Sequence, residues 1–309
     1  MEKLLQWSTA QQSQDPELRA KAPAPDPKLL AQVLGADTGK DDTTLMKEDI
    51  SVLVCNDPQI SVDDKLTALE DFEILVQNLD NANNISPLGI WPEIAKLYTY
   101  EGEEQDEFRG LGALITGTAV QNNDKAQRDF LKSVGMEGMQ RLLDLTSKEN
   151  GFNVRARALY AISSLVAHNG LLYGLFAKTN GWKRLEGILS EDFCNDKKDN
   201  KVLLRSLSLL KCLLYDEITQ ENEAVKTSKE DRFSEAKSCG AFMTIIKKLS
   251  PDSHVEVNER IVNTLSYAAL NKYTFSPEEI SAMKEGLNKL SSAKITVDKD
   301  DLATLQKFL

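Results

Sequence analysis

Histidine is almost missing from this 309-residue chain; His168 and His254 are the two it has. Cysteine is sparse as well. Cys55, Cys194, Cys212 and Cys239 lie far apart, and no two form a Cys-x-x-Cys pair. Structural zinc takes several Cys or His ligands at close spacings, so a metal site here would have to be assembled from distant pieces. The same scatter predicts reduced thiols rather than disulfides. No apolar run approaches the ~18 residues that a membrane-spanning helix needs. The opening MEKLLQWSTAQQ turns polar after Trp7 and lacks the apolar core of a signal peptide. Clustered basic charge is also absent. Net charge is −11 with a pI near 4.9, and Lys and Arg gather only in pairs such as Lys197-Lys198 and Lys247-Lys248. Nucleic acid and anionic lipid are held by clustered Lys and Arg that release counterions, so neither is an expected partner. Together these absences predict a cytoplasmic protein that binds no nucleic acid, no membrane and no metal.

Signals for catalysis are weak. GADTGKDDT (35–43) departs from the phosphate-loop pattern twice. Three residues rather than four separate Gly35 from Gly39, and Asp41 follows Lys40 where a magnesium-ligating hydroxyl is required. GLGALITG (110–117) breaks the dinucleotide pattern and lies in a helical run. EGEEQDE (101–107) reads as a solvated turn rather than paired catalytic carboxylates. His168 falls at a polar helix end, the ordinary setting of a surface histidine. No enzymatic activity and no cofactor are expected.

What the chain does have is a repeat. KLTALEDFEILVQN, RGLGALITGTAVQNN and RARALYAISSLVAHN start at Lys65, Arg109 and Arg155, 44 and 46 residues apart. In this register Val76, Val120 and Val166 coincide, and Gln77-Asn78 matches Gln121-Asn122. VLLRSLSLLKCLLY and VNERIVNTLSYAAL continue the series, with Arg205 and Arg260 in the slot of Arg157. Between the runs a glycine precedes a short amphipathic stretch, at Gly89, Gly135, Gly181 and Gly240. Glycine there suits a turn that takes positive φ between helices. Self-similarity at about 40–47 residues without a strand pattern marks armadillo or HEAT repeats, small helical groups that bury their faces by stacking on neighbours.

The best-marked unit predicts helices over 124–133, 136–147 and 151–168, the last with Ala158, Ile162 and Leu165 on a buried stripe. TLMKEDISVLVC (44–55) predicts an N-terminal cap helix, and Ser276-Pro277-Glu278-Glu279 a helix start near the other end. Residues 8–42 are rich in Ala, Pro, Gln and Asp and poor in packing residues. The expected architecture is all-α: a flexible N-terminal arm, residues 1–42, then an armadillo-like helical repeat solenoid, residues 43–309. The first long helices end in amides along one edge of the predicted groove. Two accounts stand side by side. One is C-capping, because Asn tolerates the left-handed conformation. The other is a partner contact made by Asn78, Asp80, Asn81, Ala82 and Asn84 of NLDNANN and by Gln121, Asn122 and Asn123.

MEKLLQWS, PDPKLL, TLMKE, NLDNANN, GTAVQNN and the RARALYAISSLVAHN helix together resemble the fungal Fes-type nucleotide-exchange factors of heat-shock 70 chaperones, relatives of the animal Hsp-binding armadillo cochaperones. The resemblance runs from residue 1 to about residue 215 and weakens beyond; the segment 216–240 is longer than the family pattern. It implies a monomeric cochaperone of protein folding and quality control, translation-associated, with no chemistry of its own. The concave face of such a solenoid grips lobe II of the chaperone's nucleotide-binding domain, so that ADP leaves and ATP enters. By the same resemblance Ala82 and Arg205 belong to the contact surface; for Arg205 a structural salt bridge is the rival role. The family's arm is similar to a chaperone substrate, a part that falls here on Leu4, Leu5 and Trp7; docking back on the domain is its rival. An importin-like peptide carrier or a generic adaptor would use the same fold. Such carriers repeat a Trp and, four residues on, an Asn. The matching slots here hold Glu70/Ile74, Leu114/Thr118, Tyr160/Ser164, Ser208/Cys212 and Asn263/Tyr267.

Overall fold

In the computed structural model, residues 40–193, 197–215, 217–218 and 228–309 are described. The chain divides into two units, Met1–Glu48 and Asp49–Leu309. That division falls inside the first described helix, α1 (Asp42–Val54), a little beyond the break in composition at Asp42. All described secondary structure is helical. In the larger unit the helices come in threes. After α2 (Val62–Val76) follow α3 (Leu79–Asn84), α4 (Trp91–Leu97) and α5 (Gln105–Val120). The next group is α6 (Asp124–Ser133), α7 (Gly135–Asp144) and α8 (Phe152–Val166). Then come α9 (Gly170–Lys178), α10 (Gly181–Leu189) and α11 (Lys197–Tyr215), and after them α12 (Lys229–Ser238), α13 (Ala241–Ile246) and α14 (Val255–Leu270). Two helices close the series, α15 (Pro277–Ser292) and α16 (Lys299–Gln306).

The long third helices stack on one another in order. α5 lies between α2 and α8, α8 between α5 and α11, and α11 between α8 and α14; α16 packs on α14. This makes one layer in which every member buries two flanks against its neighbours. Ala158, Ile162 and Leu165 of α8 are fully buried, as their spacing requires. Each such aliphatic or aromatic side chain contributes roughly 1.5–3 kcal/mol when withdrawn from water. Trp91 of α4 and Phe130 of α6 meet edge to face behind the layer, with centroids 5.5 Å apart. The arginines that open the repeat do one job twice. Arg109 Nε donates to the Tyr100 carbonyl and Arg155 Nε to the Thr146 carbonyl, tying each third helix to the loop that feeds it.

Predicted boundaries hold for α6, while α7 and α8 are shorter than expected at their C-terminal ends. α8 stops at Val166 because Ala167 turns extended (ψ 121°) and His168 takes φ 57°. α15 opens with a capping box between Ser276 and Glu279, after which Pro277 occupies the first turn. Gly89, Gly135 and Gly240 adopt positive φ, as their role between helices demands. Gly181 does not. There Asn180 takes the left-handed conformation (φ 58°), and Gly181 begins α10 pressed against the ring of Phe176.

Candidate partner-binding face

The amide endings have a local structural explanation, and it lies mostly in the helix that follows. Asn78 Oδ1 accepts from the Asp80 amide and opens α3. Asn123 Oδ1 accepts from the Ala126 amide and opens α6, while its Nδ2 donates back to the Ala119 carbonyl. Asn169 Oδ1 accepts from the amides of Leu171 and Leu172 and opens α9. Its Nδ2 donates to Gln127, which in turn holds the carbonyls of Ser164 and Ala167. These are N-caps, satisfying donors that a helix start leaves orphaned. Only the residue before the cap, Asn122 (φ 52°) or His168 (φ 57°), plays the expected C-terminal part.

Several residues expected on a partner surface are therefore inside. Asn123 is 5% exposed and engaged at both ends of its amide. NLDNANN is not an open turn, because α3 runs through it. Asn81 is 5% exposed, with its Nδ2 on the Leu75 carbonyl, and Ala82 is 3% exposed. A partner cannot reach the Ala82 methyl without moving α3. Asn78, Asp80, Gln121 and Asn122 are exposed, and Asn84 is half-buried. Ile74 and Leu79 beside them are 62% and 58% exposed, an apolar pair among the amides. Leu4, Leu5 and Trp7 lie outside the described residues.

Across the layer of third helices the outward side chains are linked from helix to helix. Thr118 of α5 donates to Glu73 of α2 at 2.9 Å. Tyr160 of α8 donates its hydroxyl to Gln121 Oε1 at 2.8 Å, and the Arg205 guanidinium of α11 lies over its ring at 5.1 Å. Gln121 and Arg205, expected in the site for separate reasons, are thus joined through one aromatic residue. Among the described residues the neighbour of Arg205 is a ring, not the carboxylate of the rival salt-bridge role. Further along, Arg260 of α14 donates to Ser208, Lys211 of α11 to Asn263 at 3.1 Å, and Asn263 to Asp301 of α16 at 2.8 Å. Tyr215 and Tyr267 stack face to face with centroids 3.4 Å apart, Lys211 lying over the first and Lys229 over the second. Burial pushes the Tyr215 phenol well above its usual value, with Asp301 adding to the effect. It therefore stays neutral and donates to the Asn263 carbonyl. Sequence reasoning had noticed Tyr160, Ser208, Asn263 and Tyr267 only as slots lacking a carrier's Trp and Asn. Their pairing across repeats has no signal in a single chain.

Among the described residues no cluster of His, Cys, Asp and Glu is arranged to hold a metal ion. No described helix is long and apolar enough to cross a membrane. The face offers amides, two stacked tyrosines and several cations on a rigid layer, the makings of a protein-binding surface.

Comparison with known proteins agrees with this architecture. Residues 1–85 match the family model of nucleotide exchange factor Fes1, and residues 81–248 match the SIL1/FES1/HPBP1 C-terminal domain. The Hsp70 nucleotide exchange factor FES1 of Scheffersomyces stipitis is 35% identical over 310 aligned positions, covering 100% of both chains. The FES1 protein of Saccharomyces cerevisiae is 33% identical, again over 100% of each. Solved structures of similar fold include an engineered protein (TM-score 0.61, 15% identity, 87% of this chain and 96% of the other). A designed armadillo repeat protein in complex with the peptide (KR)4 is also similar (TM-score 0.59, 14% identity, 86% and 97%). At such identity these two speak for the fold alone. The full-length relatives and the two family models, which meet end to end along residues 1–248, show that this chain belongs to the Fes1 family of nucleotide exchange factors.

Proposed function

We propose that this chain is a cytoplasmic, monomeric cochaperone that binds the nucleotide-binding domain of an Hsp70 chaperone at lobe II and promotes ADP release. The observation that carries the reading is the end-to-end likeness to Hsp70 nucleotide exchange factors, with nothing left over for another domain. Exchange of this kind requires no bond to be made or broken by the factor. A partner shifts an equilibrium only by preferring one of its states, and each tenfold preference for the open, ADP-releasing form is worth about 1.4 kcal/mol. The layer of third helices suits that task because its members are packed on both flanks and cross-linked side to side. A rigid surface spends little of its binding energy on ordering itself. Asn78, Asp80, Gln121, Asn122 and Arg205 are the exposed members of the proposed contact, and Asn84 lies at its edge.

A peptide carrier is the competing use of this fold. The stacked Tyr215 and Tyr267 and the acidic Glu70 slot do not reproduce a repeated Trp and Asn ladder, which favours the exchange reading. The deciding experiment follows a fluorescent ADP analogue leaving a cytosolic Hsp70 with and without this protein. Acceleration at sub-stoichiometric amounts is the expected result. An unchanged release rate, with no complex on gel filtration, refutes it.

A further inference from the structure

A depression of about 760 Å³ opens between α11 and α14. Lys201, Leu204 and Arg205 line one wall; His254, Glu256 and Arg260 line the other. Three permanent cations thus meet one carboxylate in a chain whose net charge is −11. Arg260 is already matched, since its Nη2 donates to Glu256 at 2.9 Å while Nη1 reaches Ser208. His254 serves as N-cap of α14, its Nδ1 accepting from the Glu256 amide. Arg205 rests on the Tyr160 ring, a contact that orients the guanidinium without neutralising it. Lys201 stands one turn before Arg205 on the same face of α11 and is exposed. No described carboxylate is paired with either.

Like charges one turn apart weaken a helix. Packing alone therefore gives no reason for Lys201 and Arg205 to share this wall. A ligand of opposite sign turns the repulsion into a grip, and the apolar side of Leu204 between them keeps the local dielectric below that of water. We propose that this depression receives an acidic segment of the Hsp70 nucleotide-binding domain, with Lys201 and Arg205 donating to its Asp or Glu carboxylates and the Arg260–Glu256 pair fixing the opposite wall. The proposal rests on the exchange reading above and adds to it the chemistry of the partner and a second helix, α14, to the contact. It also sets the direction of the salt dependence, because an exposed pairing of this kind is screened as ionic strength rises.

The test measures binding of the full-length chain to the isolated Hsp70 nucleotide-binding domain by calorimetry across a series of NaCl concentrations. Lys201→Gln and Arg205→Gln are each expected to raise Kd roughly tenfold at low salt, about 1.4 kcal/mol, and to flatten its salt dependence. Lys183→Gln, which removes the same charge from an exposed position on α10, controls for net charge and is expected to leave Kd unchanged. Melting curves check that every variant folds; all three side chains are exposed. If Lys201→Gln binds like the wild type, or no more weakly than Lys183→Gln, the depression is not the receptor although exchange stands. If the wild-type chain itself neither binds nor releases ADP, both readings fall together.

Discussion

Tyr160 carries two contacts that chemistry can separate. Its hydroxyl holds Gln121 of α5, and its ring supports Arg205 of α11. Tyr160→Phe removes the first and keeps the second. Binding to the Hsp70 nucleotide-binding domain is expected to fall by no more than the ~0.5–1.5 kcal/mol of one hydrogen bond. Tyr160→Ala removes both and frees the guanidinium, so it is expected to bind more weakly than Tyr160→Phe by a further ~0.5–1 kcal/mol. Equal affinities for the two variants would show that the ring does not position Arg205. Ala82 belongs to a different class. At 3% exposure it has no room for a longer side chain, so Ala82→Arg is expected to destabilise the fold by about 1–3 kcal/mol before it affects any partner. A melting temperature equal to wild type, together with lost binding, would return Ala82 to the contact surface.

At the scale of a helix, the close fit of α5 and α8 rests on a missing side chain. A Cβ built on Gly117 would lie 2.5 Å from the Tyr160 ring. Tyr160 is half-buried and its way outward is open, so Gly117→Ala is expected to expel the ring rather than separate the helices. The variant should melt within ~1 kcal/mol of wild type, since alanine also favours the helix, yet bind like Tyr160→Ala. A large drop in melting temperature would mean that the ring cannot yield. The start of α2 offers a pH test. Asp64 accepts from the amide and hydroxyl of Ser61, and the hydroxyl bond above all holds its carboxyl below the usual carboxylate range. A group whose folded value is depressed adds stability above its unfolded value and loses it as pH falls through the folded one. Asp64→Asn should therefore melt below wild type at neutral pH, and the gap should narrow as pH falls below the ordinary Asp range of about 4. A gap that is constant with pH would assign the effect to shape rather than charge.

What could be read in the chain follows from these same contacts. Stacking of Ala158, Ile162 and Leu165 leaves a period in the sequence, and so do the arginines that tie each third helix to its loop. α3 escaped notice because its six residues, mostly amides, carry no apolar period. The Asn caps were visible as amides but were credited to the preceding helix, since a cap residue adjoins two helices and composition does not say which one it serves. Tyr160, Lys201 and Arg260 gain their roles only through partners about one repeat away.

On the scale of the molecule the family models also divide the chain, one covering residues 1–85 and the other 81–248. The arm and the repeats are expected to separate functionally. Deleting residues 1–42 should leave ADP release nearly unchanged and slow the release of a bound client peptide, and so should replacing Leu4, Leu5 and Trp7 together by Ser. Tethering raises the arm's local concentration to roughly mM, enough for a weak competitor to matter. Loss of ADP release in the truncated protein would make the arm part of the docking surface. Unchanged client release would leave it without that role.

The stacked third helices have one more consequence. Packed helix axes lie about 8–10 Å apart, so the three steps from α2 to α11 set a span of roughly 24–30 Å between the ends of the proposed contact. Buried flanks make that span a fixed gauge. A folded partner that touches Ile74 at one end and Arg205 at the other is measured against it, and a partner whose breadth changes as it opens and closes matches the gauge in one posture only.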